Sequence, residues 1–310
     1  MRRRARHLLF LLLLGIWTTA AVADDVGSAG ALFLRFGVGA RASGMGEAHT
    51  GVAKDASTVY WNPGAMSAVL GTRLLFMHNE YFQSIRLEQA ALTHETDYGT
   101  LGLSFAGLYM DEMDRYEDFP SANPLGTFSA YDVSFAVAFS RYVLPNLSVG
   151  VAVKGVFENI DESTAKGYAF DAGLYHVSRL PGVRLGAVLA NLGPPINFED
   201  DDFVGEEFDL PRVFKLGASL ERRFPTVRGD LLATFDVLFP VDGDAKQHIG
   251  AEFGYLRKLF LRGGFKAGYD SQGATFGVGV KYRKFDFDYA LLLISNDLGD
   301  SHRFGFSLKI

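Results

Sequence analysis

Charged residues of both signs recur among apolar neighbours at a period of two. Asp132, Asp171, Asp286 and Asp288, with Lys154, Arg262, Lys266, Lys281 and Arg283, all fall on the same side of strand-like stretches. Residues at that spacing share a sheet face. In a confined space such charges either pair with one another or line a polar path, because an unpaired buried charge is costly. A second group is acidic: Glu199, Asp200, Asp201 and Asp202 between Phe198 and Phe203, and earlier Asp111 and Glu112 ahead of Phe119. Carboxylates in such a run suit a divalent cation or a basic partner, and the flanking rings add a surface for docking. Catalytic chemistry has no comparable signal. The seven histidines are scattered, and none has the helical spacing beside a carboxylate that suits zinc. A nucleophile, base and acid would have to come from separate strands. The expectation is a protein that is not an enzyme and carries no cofactor or metal.

The elements that hold these residues read as strands. Phe304, Phe306, Leu308 and Ile310 oppose Arg303, Gly305, Ser307 and Lys309. Phe276, Val278, Val280 and Tyr282 oppose Gly277, Gly279 and Lys281, with Arg283 continuing that face. Tyr131 to Phe139 and Leu147 to Val153 alternate likewise. Small and charged residues on one face suit a lumen, and branched or aromatic residues on the other suit lipid. About fourteen such segments fill residues 71–310. They are 72–79, 84–94, 98–110, 128–141, 146–158, 165–179, 182–192, 210–222, 227–239, 247–256, 258–269, 273–283, 285–294 and 302–310. The connections alternate in length and charge. Residues 111–127 and 193–209 are long and acidic, whereas the turns near 143–145, 180–181 and 284 are short, with Arg141, Arg179, Arg222, Arg223, Arg257, Lys258, Arg283 and Lys284 clustered at such ends. This asymmetry predicts an all-β fold: a transmembrane antiparallel β-barrel with acidic loops outside and basic turns in the periplasm.

Composition agrees. Glycine is abundant at 35 residues, aromatics reach 14%, and there are 27 Phe. Mean hydropathy is near zero, as alternation between lipid and lumen requires. Residues 1–23 read as a signal peptide: Arg2, Arg3, Arg4 and Arg6, an apolar run from Leu8 to Trp17, then Ala21-Val22-Ala23. The apolar run is short of the ~20 residues a spanning helix needs. Without cysteine the chain has neither disulfides nor a lipid-modified cysteine. Loss of the four leader arginines leaves 26 basic against 36 acidic residues, a net charge of −10. That charge speaks against nucleic acid as a partner.

Residues 24–70 do not alternate. Gly37, Gly39, Gly44 and Gly46 suit a compact segment packed against a barrel wall at close range. The Gly-x-Gly at 44–46 lacks the strand and helix that a nucleotide fingerprint requires. Asp55 and Ser57 are expected to cap a short helical turn near 56–61, and Asn62-Pro63-Gly64 to end it.

The stretch Phe33-Leu34-Arg35, Gly37-Val38-Gly39-Ala40-Arg41-Ala42, Gly44-Met45-Gly46, Asp55-Ala56 and Tyr60-Trp61-Asn62-Pro63 resembles the opening signature of the PorV/PorQ family, within the FadL-like outer-membrane barrels. Weaker likenesses follow at Ala169 to Gly173, Leu210-Pro211, Gly250 to Phe253 and Gly277 to Gly279. The resemblance implies a fourteen-stranded barrel in the bacterial outer membrane, with residues 24–70 as a hatch in its lumen. It assigns Gly37, Gly39, Gly44, Gly46, Asp55, Asn62 and Pro63 to that hatch, as a structural plug or a gate. Gly64 stands where FadL-like proteins carry the alanine of Asn-Pro-Ala. Two functions follow from the resemblance. One is an accessory of type IX-like protein secretion, whose loops carry Asp111, Glu112, Phe119, Phe198, Asp200, Asp201, Asp202 and Phe203 to a translocon or cargo. The alternative is a channel for hydrophobic small molecules such as fatty acids.

Overall fold

The computed structural model describes residues 29–81, 85–116, 123–200, 204–295 and 299–310. The leader at 1–23 and the candidate loop residues Phe119, Asp201, Asp202 and Phe203 lie outside the described residues. Fourteen strands build the wall. They are β1 (Thr72–Glu80), β2 (Arg86–Thr96), β3 (Gly99–Tyr109), β4 (Ala130–Leu144), β5 (Leu147–Ile160), β6 (Ser163–Val177), β7 (Val183–Leu192), β8 (Val213–Phe224), β9 (Gly229–Pro240), β10 (Lys246–Tyr255), β11 (Leu259–Ala267), β12 (Gln272–Tyr282), β13 (Phe285–Ile294) and β14 (Ser301–Lys309). Each pairs antiparallel with its sequence neighbours, and β14 returns to β1 over Arg73↔Lys309 to Glu80↔His302. Closure leaves the wall without a free edge.

The period of two decides which side each residue faces. On β4, Phe135, Val137 and Phe139 point out and are exposed, whereas Ala136, Ala138 and Ser140 point in and are buried. The outer surface is therefore an apolar band of residues such as Val151, Leu261, Phe276 and Phe304. No helix among the described residues is long and apolar enough to cross a membrane.

Six short turns lie at one end of the barrel, and the two long connections lie at the other beside shorter ones such as 241–245 and 268–271; we call these the turn end and the loop end. Residues 110–129 and 193–212 are the longest connections, and both carry added structure. Met113–Arg115 pairs with Gly126–Phe128, and Phe198–Glu199 pairs with β6 at Ala165 and Thr164. Asp161-Glu162 is the shortest connection at the loop end, with Asp161 at φ 58°. Arg283 is not on the lumen face as its spacing suggested. Strand β12 stops at Tyr282, and Arg283 takes φ 56° in a two-residue turn, so its side chain leaves the alternation.

Residues 29–70 fill the lumen. They form four short helical turns, Leu32–Arg35, Ala40–Ser43, Thr58–Trp61 and Pro63–Ala68. The segment begins near the loop end, where the Gly30 N–H donates to Asp209 O at 3.0 Å. It crosses the barrel and reaches the turn end, where β1 starts.

Candidate functional site

The hatch is held from two sides by different means. Towards β10–β14 the anchors are ionic. Glu47 accepts from Lys266 Nζ at 2.6 Å and from Arg303 Nη1 at 2.9 Å. Arg303 Nη1 also donates to Gly37 O at 3.2 Å and Ser43 Oγ at 2.5 Å. Nearer the turn end, Arg41 grips Glu252 with two bonds of 2.7 Å. The Glu252 carboxylate is shared with Arg262, which donates onward to Asp288 at 2.7 Å. Two-bonded guanidinium–carboxylate pairs of this type are strong and directional. Burial alone would raise the Glu47 carboxyl, but Lys266 and then Arg303 outweigh it and hold it well below the usual carboxylate range.

Towards β4–β9 most anchors are backbone groups or neutral side chains, with one ion pair, Lys54 to Glu221 at 2.6 Å. Asp236 Oδ2 accepts the N–H groups of His49 and Thr50, each at 2.8 Å. Asn62, fully buried, donates to Thr50 O and Leu174 O at 2.9 Å, while its Oδ1 accepts the Gly64 N–H at 2.9 Å. The role expected of Asn62 as a turn residue is thus a cap for the Pro63–Ala68 turn. Beside it the hatch touches wall backbone. A Cβ on Gly64 would stand 2.6 Å from Gly173 O, and a Cβ on Gly150 would stand 2.4 Å from Pro63 O. Asp55 sits before the Thr58–Trp61 helix and accepts from the Ser57 N–H at 2.9 Å and from the Ser57 hydroxyl, so it shapes the entry while Ser57 occupies the cap position without a side-chain bond to the helix. Asp55 also meets Arg41 at 3.4 Å.

The four glycines lie where the segment turns or touches. A Cβ at Gly37 would fall on Glu47 Oε1, and one at Gly44 would come within 3.0 Å of Gly277 Cα. Gly39 has φ 87°, and Gly46, at φ 63°, lies against the backbone of β10 and β11.

The hatch separates two cavities. The one towards the loop end, about 290 Å³, combines Leu34, Phe36 and Leu238 with Lys215, Lys246 and His248. The one towards the turn end, about 250 Å³, is lined by Arg41, Lys54, Asp55, Glu221, Glu252 and Arg262 among others. A wider groove of about 730 Å³ opens on the outer apolar surface beside Phe76, Phe105, Phe287, Phe304 and Phe306.

Lys215 is unlike the other lumen cations. It is 7% exposed and lines the loop-end cavity. Its ammonium lies 5.4 Å from the centroids of both Tyr60 and Trp61. Among the described residues no carboxylate comes within ion-pair distance of it. Lys154, by contrast, meets Asp171 at 2.8 Å and Asn191 Oδ1 at 2.6 Å.

The described loop residues do not form one patch. Asp111 pairs with Arg86 at 2.6 Å, and Glu112 accepts from Thr127 at 3.3 Å. Asp200 accepts from Ser163 at 3.2 Å. Phe198 packs on Phe208, with centroids 5.6 Å apart, against the apolar cluster of Phe33, Leu34 and Ile196.

Glu47, Arg303 and Lys215 were not singled out by spacing. Glu47 is the lone carboxylate between residues 31 and 54, a signal that could have marked it. Lys215 alternates with outward Phe214 and Leu216, which places it inward.

Residues 20–207 match the model of an uncharacterised protein family, UPF0164. The chain belongs to that family. No curated protein matches it. Among solved structures, this UPF0164 member shares the fold of FadL-like outer-membrane barrels. The toluene transporter TbuX of Ralstonia pickettii is 15% identical with a TM-score of 0.59, over 88% of this chain and 98% of that one. The toluene transporter TodX of Pseudomonas putida is 13% identical with a TM-score of 0.59, over 87% and 96%. A FadL homologue of Pseudomonas aeruginosa is 12% identical with a TM-score of 0.51, over 87% and 97%.

Proposed function

We propose that the protein is an outer-membrane conduit for hydrophobic small molecules that carry an acidic group, fatty acids being the simplest case. The observation that carries this reading is Lys215: a buried cation without a carboxylate partner, on a cavity that sets Leu34, Phe36 and Leu238 beside further basic groups, Lys246 and Lys266 among them. Removing a cation from water is costly unless an anion or other polar groups compensate. Tyr60 and Trp61 supply part of that compensation through their ring faces, and a ligand carboxylate would supply the rest. The alkyl part would lie along Leu34, Phe36 and Leu238. The apolar outer band, the closed wall and the FadL-family fold support a place in the outer membrane, with the turn end in the periplasm. The toluene transporters of the same fold support passage of apolar compounds. In this reading the hatch closes the way between the two cavities and must shift for transit.

The secretion reading of the PorV/PorQ resemblance has less behind it. Phe198, the described aromatic next to the acidic run, spends much of its half-buried ring on Phe208.

The test is binding of a long-chain fatty acid and of the alcohol of equal length to the purified barrel, with Lys215→Met beside the wild type. The acid should bind at least tenfold more tightly than the alcohol, and the substitution should abolish that difference. Equal affinity for acid and alcohol in the wild type would sink the proposal.

A further inference from the structure

The basic turns play no part in that conduit, and they are unevenly placed. Three consecutive turns at the turn end join β8–β9, β10–β11 and β12–β13. They bring together Arg222, Arg223, Arg228, Arg257, Lys258, Arg283 and Lys284, all exposed. Left-handed backbone at Arg228, Arg257 and Arg283 belongs to the tight turns themselves. Asp230 is the acid among them. It accepts from Arg257 at 3.0 Å and meets Arg223 at 3.5 Å. Among the described residues no carboxylate reaches Arg222, Arg228, Lys258, Arg283 or Lys284. The other half of the rim is sparser: the β2–β3 and β4–β5 turns are Asp97-Tyr98 and Pro145-Asn146, and beside its three turns stand Arg141 and Arg179.

The arc has a second feature. The outward residues nearest these turns are Phe224, Tyr255, Leu259, Tyr282 and Phe285, all exposed. Rings at this depth mark the boundary between hydrocarbon and headgroups. Basic side chains just beyond such rings can lie flat and reach the phosphate plane. A concavity of about 390 Å³ opens between the β8–β9 and β10–β11 turns, lined by Arg223, Phe224, Arg228, Asp230, Leu256 and Arg257. It joins guanidinium groups to apolar surface, the combination a phosphate ester on a lipid requires.

We propose that this arc is a binding surface for anionic phospholipid headgroups of the periplasmic leaflet, which fixes the rotational setting and depth of one side of the barrel. The inference rests on the membrane placement but not on the conduit. A barrel that binds no fatty acid could still show it.

The test uses the full folded barrel, reconstituted in equal amounts of phosphatidylglycerol and phosphatidylcholine, extracted in neutral detergent and weighed by native mass spectrometry. The wild type should retain phosphatidylglycerol at least fivefold over phosphatidylcholine. That preference should collapse in about 1 M salt, where the screening length falls to about 3 Å. It should fall to parity in R257Q/K258Q/R283Q/K284Q and persist in R141Q/R179Q, with folding of each variant checked by its gel mobility before boiling. Glycerol phosphate at matched concentration should not displace the lipid. Equal retention of the two lipids by the wild type overturns the proposal and leaves the arc to an acidic protein. Salt-insensitive preference, equal loss in both variants, or displacement by glycerol phosphate overturns it as well. The wild-type salt titration decides even if the fourfold variant does not fold.

Discussion

The two flanks of the hatch are held by different balances of chemistry, with buried ion pairs dominant on one and backbone and neutral contacts dominant on the other beside the part-exposed Lys54–Glu221 pair. On the β10–β14 flank, Glu47 and Arg41 meet wall cations and carboxylates in buried ion pairs. On the β4–β9 flank, Asn62, Gly64 and the 49–50 backbone meet wall carbonyls, Asp236 and glycine backbone. Buried ion pairs add little net stability when intact but are costly to break on one side alone. Neutral close contacts depend on shape, and their cost comes from overlap or a lost hydrogen bond. The ionic flank can therefore be released by exchanging partners, for example with an arriving carboxylate. The neutral flank cannot be released without a loss of packing. If the hatch moves, it should swing on the Asn62–Gly64 side and open on the Glu47 side.

The largest effect should come from the ionic flank. Glu47→Gln leaves Lys266 and Arg303 buried without their shared anion, and should lower stability of the hatch by about 3–5 kcal/mol. In the chain without residues 1–23, Trp61 is the sole tryptophan, so its emission during urea titration reports the hatch directly. A transition at the wild-type urea concentration would show that the ion pairs do not hold the segment. Gly64→Ala tests the other flank. Its Cβ meets backbone, which cannot turn aside as a side chain would, and overpacking of this type costs about 1–3 kcal/mol. It should shift the same transition by less than the Glu47 variant. Asn62→Ala should fall in a similar range, about 1–3 kcal/mol, because Leu174 O and Thr50 O lose a buried donor. If the neutral flank is the pivot, Gly64→Ala should slow fatty-acid uptake, whereas Glu47→Gln should speed it. Uptake by reconstituted vesicles checks the signs.

The wall was legible in the sequence because a strand's signal is local. Alternation along Tyr131–Phe139 or Phe304–Ile310 marks both the element and its lipid face, and fourteen such segments account for the closed sheet. The boundary of β12 shows how that reading slips. Alternation runs through Arg283, but the chain turns one residue earlier, and the side chain leaves the lumen. The hatch was legible as a distinct segment through its glycines and the loss of alternation. Its anchors were not. Glu47 meets Lys266 and Arg303 across separations of 219 and 256 residues, and those partners are neighbours only once the wall closes. Phe198 illustrates a further limit. Glu199 and Asp200 are exposed as their charge suggested, but the connection folds back on β6 and packs the half-buried Phe198 ring against Phe208.

The subtlest test of the comparison lies between the flanks, at His49. The ring is fully buried, and among the described residues neither nitrogen has a hydrogen-bond partner. Burial pushes its pKa down to about 4, against the pull of Asp55 in the other direction. The folded value is thus below the unfolded value of about 6.5. Between these limits the unfolded chain binds more protons, so stability is full above about pH 6.5 and declines as pH falls towards 4. Glu47, also held low, keeps its charge through this window and loses it at lower pH, so the two do not overlap. The His49 ring lies 5.9 Å from the Trp61 ring, close enough for a new imidazolium to alter indole emission. Wild-type emission should therefore change between pH 6.5 and 4 as the urea midpoint drops, and His49→Phe should flatten both curves. A midpoint that falls equally in the variant would assign the acid sensitivity to the carboxylates of the ionic flank and not to the residue between them.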